Sequence, residues 1–173
     1  MRALTHGAQG VVRVQGEAPP EIAYTGPRGD GTIAATSLPV EHLFTLAFTT
    51  AARGAIDGGP NGTRRITAIT GGTFEGPKVR GTVAESAGGD WLIVRPDGSL
   101  RFDVRLLLQT DDGAAIFMAY SGIGVANEGS FRLRTAPQFE TADARYAWLN
   151  TVQAVGIGTP GRDSATYEVY ALL

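Results

Sequence analysis

The chain contains no cysteine, and its only histidines are His6 and His42. The first absence removes disulfides, thiolate nucleophiles and thiolate metal sites together, and it fits a reducing compartment. Two imidazoles 36 residues apart exclude a histidine-rich metal centre. Lysine is nearly absent: Lys78 stands alone against fourteen arginines, a bias that a GC-rich genome explains and that bidentate carboxylate recognition would also favour. Fifteen basic and seventeen acidic residues are interspersed without blocks, which argues against a nucleic-acid partner. No apolar h-region follows Arg2, and no run approaches the roughly 18 apolar residues of a spanning helix, so no membrane partner and a cytoplasmic location are expected. The sequence also lacks G-x-S-x-G, H-E-x-x-H, G-x-x-x-x-G-K and a dinucleotide fingerprint, so neither metal nor cofactor is expected.

The chain does have 24 glycines and nine prolines at turn-like intervals. Val, Ile, Thr, Phe and Tyr fill the stretches between them, as in short strands joined by tight turns. The segments EHLFTLAFTT, RRITAIT, KVRGTVAES, DWLIV, LRFDVRLLL, AAIFMAYSG, ARYAWLNTVQAVGIG and ATYEVYALL read as successive strands. SFRLRTAPQFETADARY reads as one short strand and a long loop. The predicted fold is all-β: a single antiparallel β-barrel of about eight strands with meander connectivity and little helix, because closure removes bare edges. Residues 1–39 read as an N-terminal arm or edge hairpin, and residues 40–173 as the barrel domain. GGTFEGPKVRG reads as a hairpin corner and Asp111-Asp112-Gly113 as a turn.

Residues 101–108, RFDVRLLL, put Arg101, Asp103 and Arg105 on one face and Phe102, Val104, Leu106 and Leu108 on the other. Pro96-Asp97-Gly98 suits a type I turn with a left-handed glycine bulge, which pairs Arg95 with Ser99 and sets Trp91 opposite Asp103. That register makes one row of Trp91, Ile93, Arg95, Arg101, Asp103 and Arg105, and another of Leu92, Val94, Leu100, Phe102, Val104 and Leu106. Alternation does not decide which row looks inward. A solvated face of weak ion pairs is the ordinary reading of the charged row, whereas Trp91, Ile93 and Leu107 within it favour a ligand-lining wall.

On the second reading Asp103 is the catalytic acid–base group and Arg105 stabilises a developing anion. Trp91, Phe117, Tyr120, Arg132, Trp148 and Asn150 are the candidate ligand-binding residues. Glu75 and Asp90 are further candidates, with surface or hairpin roles as the plainer explanation.

The pieces GGTFEGPKVRGTV, GGDWLIVRPDG, Asp103 to Arg105, TDDGAAI, FRLRTAPQFETADARYAWLN and VGIG together resemble the family known as domain of unknown function 3237, from about Leu38 to the C-terminus. The resemblance implies a small, dimeric antiparallel barrel similar to those of allene oxide cyclase and dirigent proteins, which guide cyclisation or isomerisation without a redox cofactor. It carries over no catalytic residue; the matching positions Asp90, Trp91, Asp103, Arg105, Trp148 and Asn150 mark where a site would be sought. The expected activity is that of a cofactor-free cyclase, isomerase or lyase acting in the lumen on a small oxygenated molecule such as a polyketide, terpenoid or phenol. The alternatives are a non-catalytic ligand-binding barrel and a structural dimer with a filled core. The expected partners are a small-molecule ligand and a second copy of the chain.

Overall fold

The turn at Pro96-Asp97-Gly98 forms as its residues require. In a computed structural model that describes residues 4–6, 12–14, 38–127 and 129–173, the Arg95 amide donates to the Ser99 carbonyl at 2.9 Å and the Gly98 amide to the Arg95 carbonyl at 2.9 Å. Gly98 takes the left-handed conformation, φ +79°, which glycine adopts without steric cost. Asp97 Oδ1 accepts from the Ser99 amide at 2.9 Å and from its hydroxyl at 2.7 Å, closing the loop from outside. The expected register follows: Val94 pairs with Leu100, Ile93 with Arg101 and Asp90 with Val104.

Eleven strands are present among the described residues. β1 (Leu4–His6) and β2 (Val12–Val14) make an antiparallel ribbon by themselves. The others are β3 (Val40–Gly59), β4 (Gly62–Glu75), β5 (Arg80–Val83), β6 (Gly89–Val94), β7 (Leu100–Thr110), β8 (Ala115–Asn127), β9 (Ser130–Glu140), β10 (Ala154–Pro160) and β11 (Ser164–Leu172). These nine run in the order β3-β11-β10-β9-β8-β7-β5-β4-β6, and β3–β4 and β6–β7 pairings close the ring. Seven strands each hold one place. The eighth, between β4 and β7, is shared by the short strands β5 and β6. The fold is the expected antiparallel β-barrel with almost no helix. Among the described residues no helix is long and apolar enough to cross a membrane.

Burial decides the question that alternation left open. Along β7, Phe102, Val104, Leu106 and Leu108 are buried and Arg101, Asp103 and Arg105 are exposed. The apolar row therefore faces inward, where it meets Leu46, Ile69, Phe74, Ile116, Met118 and Val169 in one core. Phe44 lies edge-on to Phe74 and to Phe139, with ring centroids 5.6 and 5.9 Å apart. Burying side chains of this size, at about 1.5–3 kcal/mol each, outweighs exposed ion pairs worth at most about 1 kcal/mol. The expectation that the charged row lines the lumen is thus corrected.

Two segments differ from their sequence reading. Residues 130–140 form a full eleven-residue strand, with Pro137 buried on the inner face. Ala147–Thr151 is a 3-10 turn instead of a strand start. Its Leu149 plugs one end of the barrel at 1% exposure. Asn150 holds the turn by accepting from the Thr141 amide at 2.8 Å and donating to the Thr141 carbonyl at 2.9 Å. At the opposite end the inward-facing Leu92, Val94, Leu100 and Phe131 stay only half buried. Residues 15–37 of the expected N-terminal arm lie outside the described residues.

Candidate active site on the inner face

Directly paired residues of neighbouring strands share a face. The pairings Thr67–Asp90, Asp90–Val104, Val104–Tyr120 and Tyr120–Pro137 therefore trace one row across β4, β6, β7, β8 and β9. Val104 and Tyr120 are 2% and 4% exposed, which identifies the row as interior. It carries a half-buried carboxylate, Asp90, into a wall whose other members are Thr67, Val104, Tyr120 and Pro137.

The sequence Gly88-Gly89-Asp90 explains how the carboxylate gets there. A Cβ on Gly88 would stand 2.3 Å from the Arg105 carbonyl oxygen and one on Gly89 2.7 Å from that of Thr67. Only glycines let the chain enter the narrow slot between β4 and β7 at this point. Once there, Asp90 Oδ1 accepts from the Asp103 amide at 3.2 Å. The β6–β7 ladder is interrupted between the Asp90–Val104 and Ile93–Arg101 pairs, so the carboxylate takes up an amide where the ladder opens.

Burial pushes the Asp90 carboxyl up from the ordinary 3.8 to about 7; the amide bond from Asp103 pulls it down, and the nearby Asp103 charge pushes it further up. At neutral pH both protonation states are therefore populated, as acid–base work requires.

Two phenols stand beside it. Tyr120 and Tyr167 lie with ring centroids 5.6 Å apart, and Tyr167 stacks on Phe48 at 6.0 Å. Room for Tyr167 comes from Gly158 on the paired strand, where a Cβ would fall 2.3 Å from the ring. The Tyr120 hydroxyl is buried and has no hydrogen-bond partner among the described residues. It lies close enough to Tyr167 for each phenol to influence the other's ionisation, but the geometry between them falls short of a hydrogen bond. Burial and then the neighbouring Tyr167 raise Tyr120 well above its ordinary 10.0, burial raises Tyr167, and the charge of Asp90 adds to both. They remain protonated donors at any physiological pH.

The other sequence candidates lie elsewhere. Asp103 and Arg105 form an exposed outer pair at 3.2 Å, and Arg105 rests over the Trp91 ring at 5.7 Å. Phe117 and Arg132 are exposed on outer faces. Trp148 sits half-buried on the 3-10 turn with Lys78 at 5.9 Å from its ring. Glu75 is exposed at the end of β4. Of the ligand-binding set, Tyr120 is brought together with Asp90. Sequence reasoning passed over Tyr167 and set Asp90 aside as a hairpin residue, although the Gly-Gly before Asp90 and the inner-row register set by the Pro-Asp-Gly turn both pointed to it.

A cleft of about 440 Å³ lies near the plugged end, lined by Pro77, Lys78, Arg80, Asp111, Asp112 and Tyr146. Its charges are already paired: Lys78 with Glu41 at 2.6 Å, Arg80 with Asp111 at 3.3 Å, and Arg145 with Asp112 at 2.8 Å and Asp143 at 2.7 Å. Arg145 holds the Asp143 carboxyl down to about 2. This cluster fastens the turns at that end.

The profile of a family described as "Protein of unknown function (DUF3237)" matches residues 38–172. The chain belongs to this family. Among DUF3237-like relatives, a UPF0311 protein of Rhodopseudomonas palustris is 29% identical over 126 residues, covering 65% of this chain and 82% of that one. A protein of Penicillium herquei named hydroalkoxylation enzyme phnH is 33% identical over 118 residues, covering 68% of this chain and 72% of that one. Among solved structures, a beta-barrel-like protein from Acinetobacter baumannii AYE superposes with a TM-score of 0.72 at 30% identity over 79% of this chain and 97% of that one. An enzyme from Penicillium herquei superposes at 0.62 and 29% identity over 80% of this chain and 96% of its own.

The placement of Asp90 sets a stability signature. Between the ordinary pKa of 3.8 and about 7 the folded chain keeps a proton that the unfolded chain has released. Stability therefore falls as pH rises through that window and stays at the lower level above it. Asp90→Asn, which stays neutral, is expected to melt higher than the wild type at pH 8, by an amount on the order of a few kcal/mol at most, and to lose that advantage near pH 4. Thermal melts at the two pH values check this; an equal difference at both would contradict it.

Proposed function

We propose that the barrel is a cofactor-independent cyclase that adds a hydroxyl of a small, largely apolar substrate across a carbon–carbon double bond of the same molecule. The observation that carries this reading is Asp90, a carboxyl group titrating at about 7 on the apolar inner face of a barrel. The similarity to a relative named as a hydroalkoxylation enzyme supports the reaction class.

Asp90 carries the proton. An isolated alkene is a far weaker base than any carboxylate, so a carboxylic acid of this strength does not protonate it first. A phenolic hydroxyl, with an ordinary pKa near 10, lies only about three units above Asp90, a gap of roughly 4 kcal/mol. The Asp90 carboxylate accepts the hydroxyl proton as the oxygen attacks the double bond, and the resulting carboxylic acid returns that proton to the neighbouring carbon. An O–H bond and the π bond are broken, a C–O and a C–H bond form, and no oxidant or reductant is consumed. The substrate enters past Leu92, Leu100 and Phe131, the half-buried apolar side chains of the unplugged end.

A suitable probe is 2′-hydroxychalcone, whose phenol closes onto its own double bond to give flavanone. The expected result is accelerated closure, with kcat/KM rising through about pH 7 as Asp90 ionises. Asp90→Asn should lose activity by 100-fold or more, whereas Asp103→Asn, altered only on the outer face, should keep it. Wild-type activity in Asp90→Asn, or no acceleration by the wild type, would contradict the reading.

The reading includes a homodimer working in the cytoplasm. Ile123, Val125 and Ile157 are exposed on outer faces at 40%, 44% and 47%, and a second copy is the cover favoured for them. Light scattering at micromolar concentration should return the mass of two chains; a monomer would contradict this part.

A further inference from the structure

Base-first addition places a demand on the substrate. Electrons pushed into the double bond by the attacking oxygen must come to rest on an atom that tolerates them, and a bare alkene has none. A carbonyl conjugated with the alkene provides one, since the charge moves to its oxygen. Catalysis then requires a donor aimed at that oxygen inside the barrel.

The interior holds such a donor without a partner. Tyr120 is 4% exposed and its hydroxyl has no hydrogen-bond acceptor among the described residues. It stands in the same cross-strand row as Asp90, separated by Val104 alone. Its ring is held against Tyr167, which is held in turn by Phe48 and by the space above Gly158. A buried hydroxyl with nothing to bind is costly in an apolar wall, and replacing it by hydrogen would cost the packing nothing. No cationic side chain belongs to the row of Thr67, Asp90, Val104, Tyr120 and Pro137, so the site favours a neutral acceptor that becomes negative only as the reaction proceeds.

We infer that the Tyr120 hydroxyl is the donor for the carbonyl oxygen of a conjugated ketone, and that the substrates of this barrel are hydroxylated aryl or alkenyl ketones. The inference rests on the proposed cyclase reading and adds the substrate class and a second catalytic group. As the hydroxyl oxygen bonds to the β-carbon, the alkene π pair becomes the enolate C=C and the carbonyl π pair moves onto oxygen, where Tyr120 stabilises it. When Asp90 returns the proton to the α-carbon, the carbonyl re-forms. Tyr120 keeps its own proton throughout.

Chalcone labelled with carbon-13 at the carbonyl tests this without turnover, because it lacks the attacking hydroxyl. Isotope-edited infrared spectra of chalcone bound to the wild type should show the carbonyl stretch moved to lower wavenumber than in hydrocarbon solvent. Asp90→Asn should retain the shift. Tyr120→Phe should lose it and bind chalcone up to about tenfold more weakly, while melting at a higher temperature than the wild type because an unpartnered hydroxyl has been removed. That higher melting temperature separates loss of the donor from loss of the fold. An unaltered shift in Tyr120→Phe overturns the inference and leaves the cyclase reading standing. Failure of both the wild type and Asp90→Asn to bind chalcone overturns the two together.

Discussion

The register between β6 and β7 is the constraint from which the rest of the interior follows. With Arg95 bonded to Ser99 across a three-residue turn, Asp90 pairs with Val104 and shares its inward direction. A slip of β6 by one residue against β7 would turn Asp90 to the outer face and Trp91 to the inner one. Gly98 and Asp97 hold the turn, and Gly88 and Gly89 admit β6 to its slot. These four residues thus determine which carboxylate faces inward.

The half-buried carboxyl is costly to keep. Moving a carboxyl from 3.8 to about 7 corresponds to on the order of 4 kcal/mol at most, and an unpartnered phenol adds roughly 1–3 kcal/mol. Set against a typical domain stability of about 5–15 kcal/mol, these are large fractions. The neighbouring core carries them: Phe44 meets Phe74 and Phe139 edge to face in the plugged half, leaving Asp90 and Tyr120 nearer the end where Leu92, Leu100 and Phe131 stay half exposed. Local inconsistency of this kind, concentrated at one place in an otherwise consistent barrel, is the usual mark of a working site.

The sequence made the scaffold legible because turn chemistry and period-two alternation are local. The Pro-Asp-Gly bulge, the Asp111–Gly113 turn and the inward run of β7 could be read from a few neighbouring residues, and the family motifs from Leu38 onward agreed. What could not be read depended on closure. Both faces of residues 91–108 are partly apolar, so only the ring of neighbouring strands reveals which is enclosed. Trp91 and Arg105 form a cation–π contact on the outside, and that gave the outer row the look of a binding wall. Pro137 disguised β9 as a loop, yet its missing amide is tolerated in an eleven-residue strand. Asp90 ranked only as a further candidate because a carboxylate after Gly-Gly reads as a hairpin end; its inward placement arises from β4 and β7, which flank β6 in the sheet. Tyr167 joins Tyr120 only through barrel closure, since β11 and β8 are not neighbours in the sheet.

Direct titration of Asp90 tests the central claim. In protein labelled with carbon-13 at aspartate side-chain carboxyls, the resonance that disappears in Asp90→Asn should move with a midpoint at about pH 7. A midpoint near the ordinary 3.8 would mean that the carboxylate is solvated and ionised, and would contradict a proton-transfer site on the inner face of this barrel.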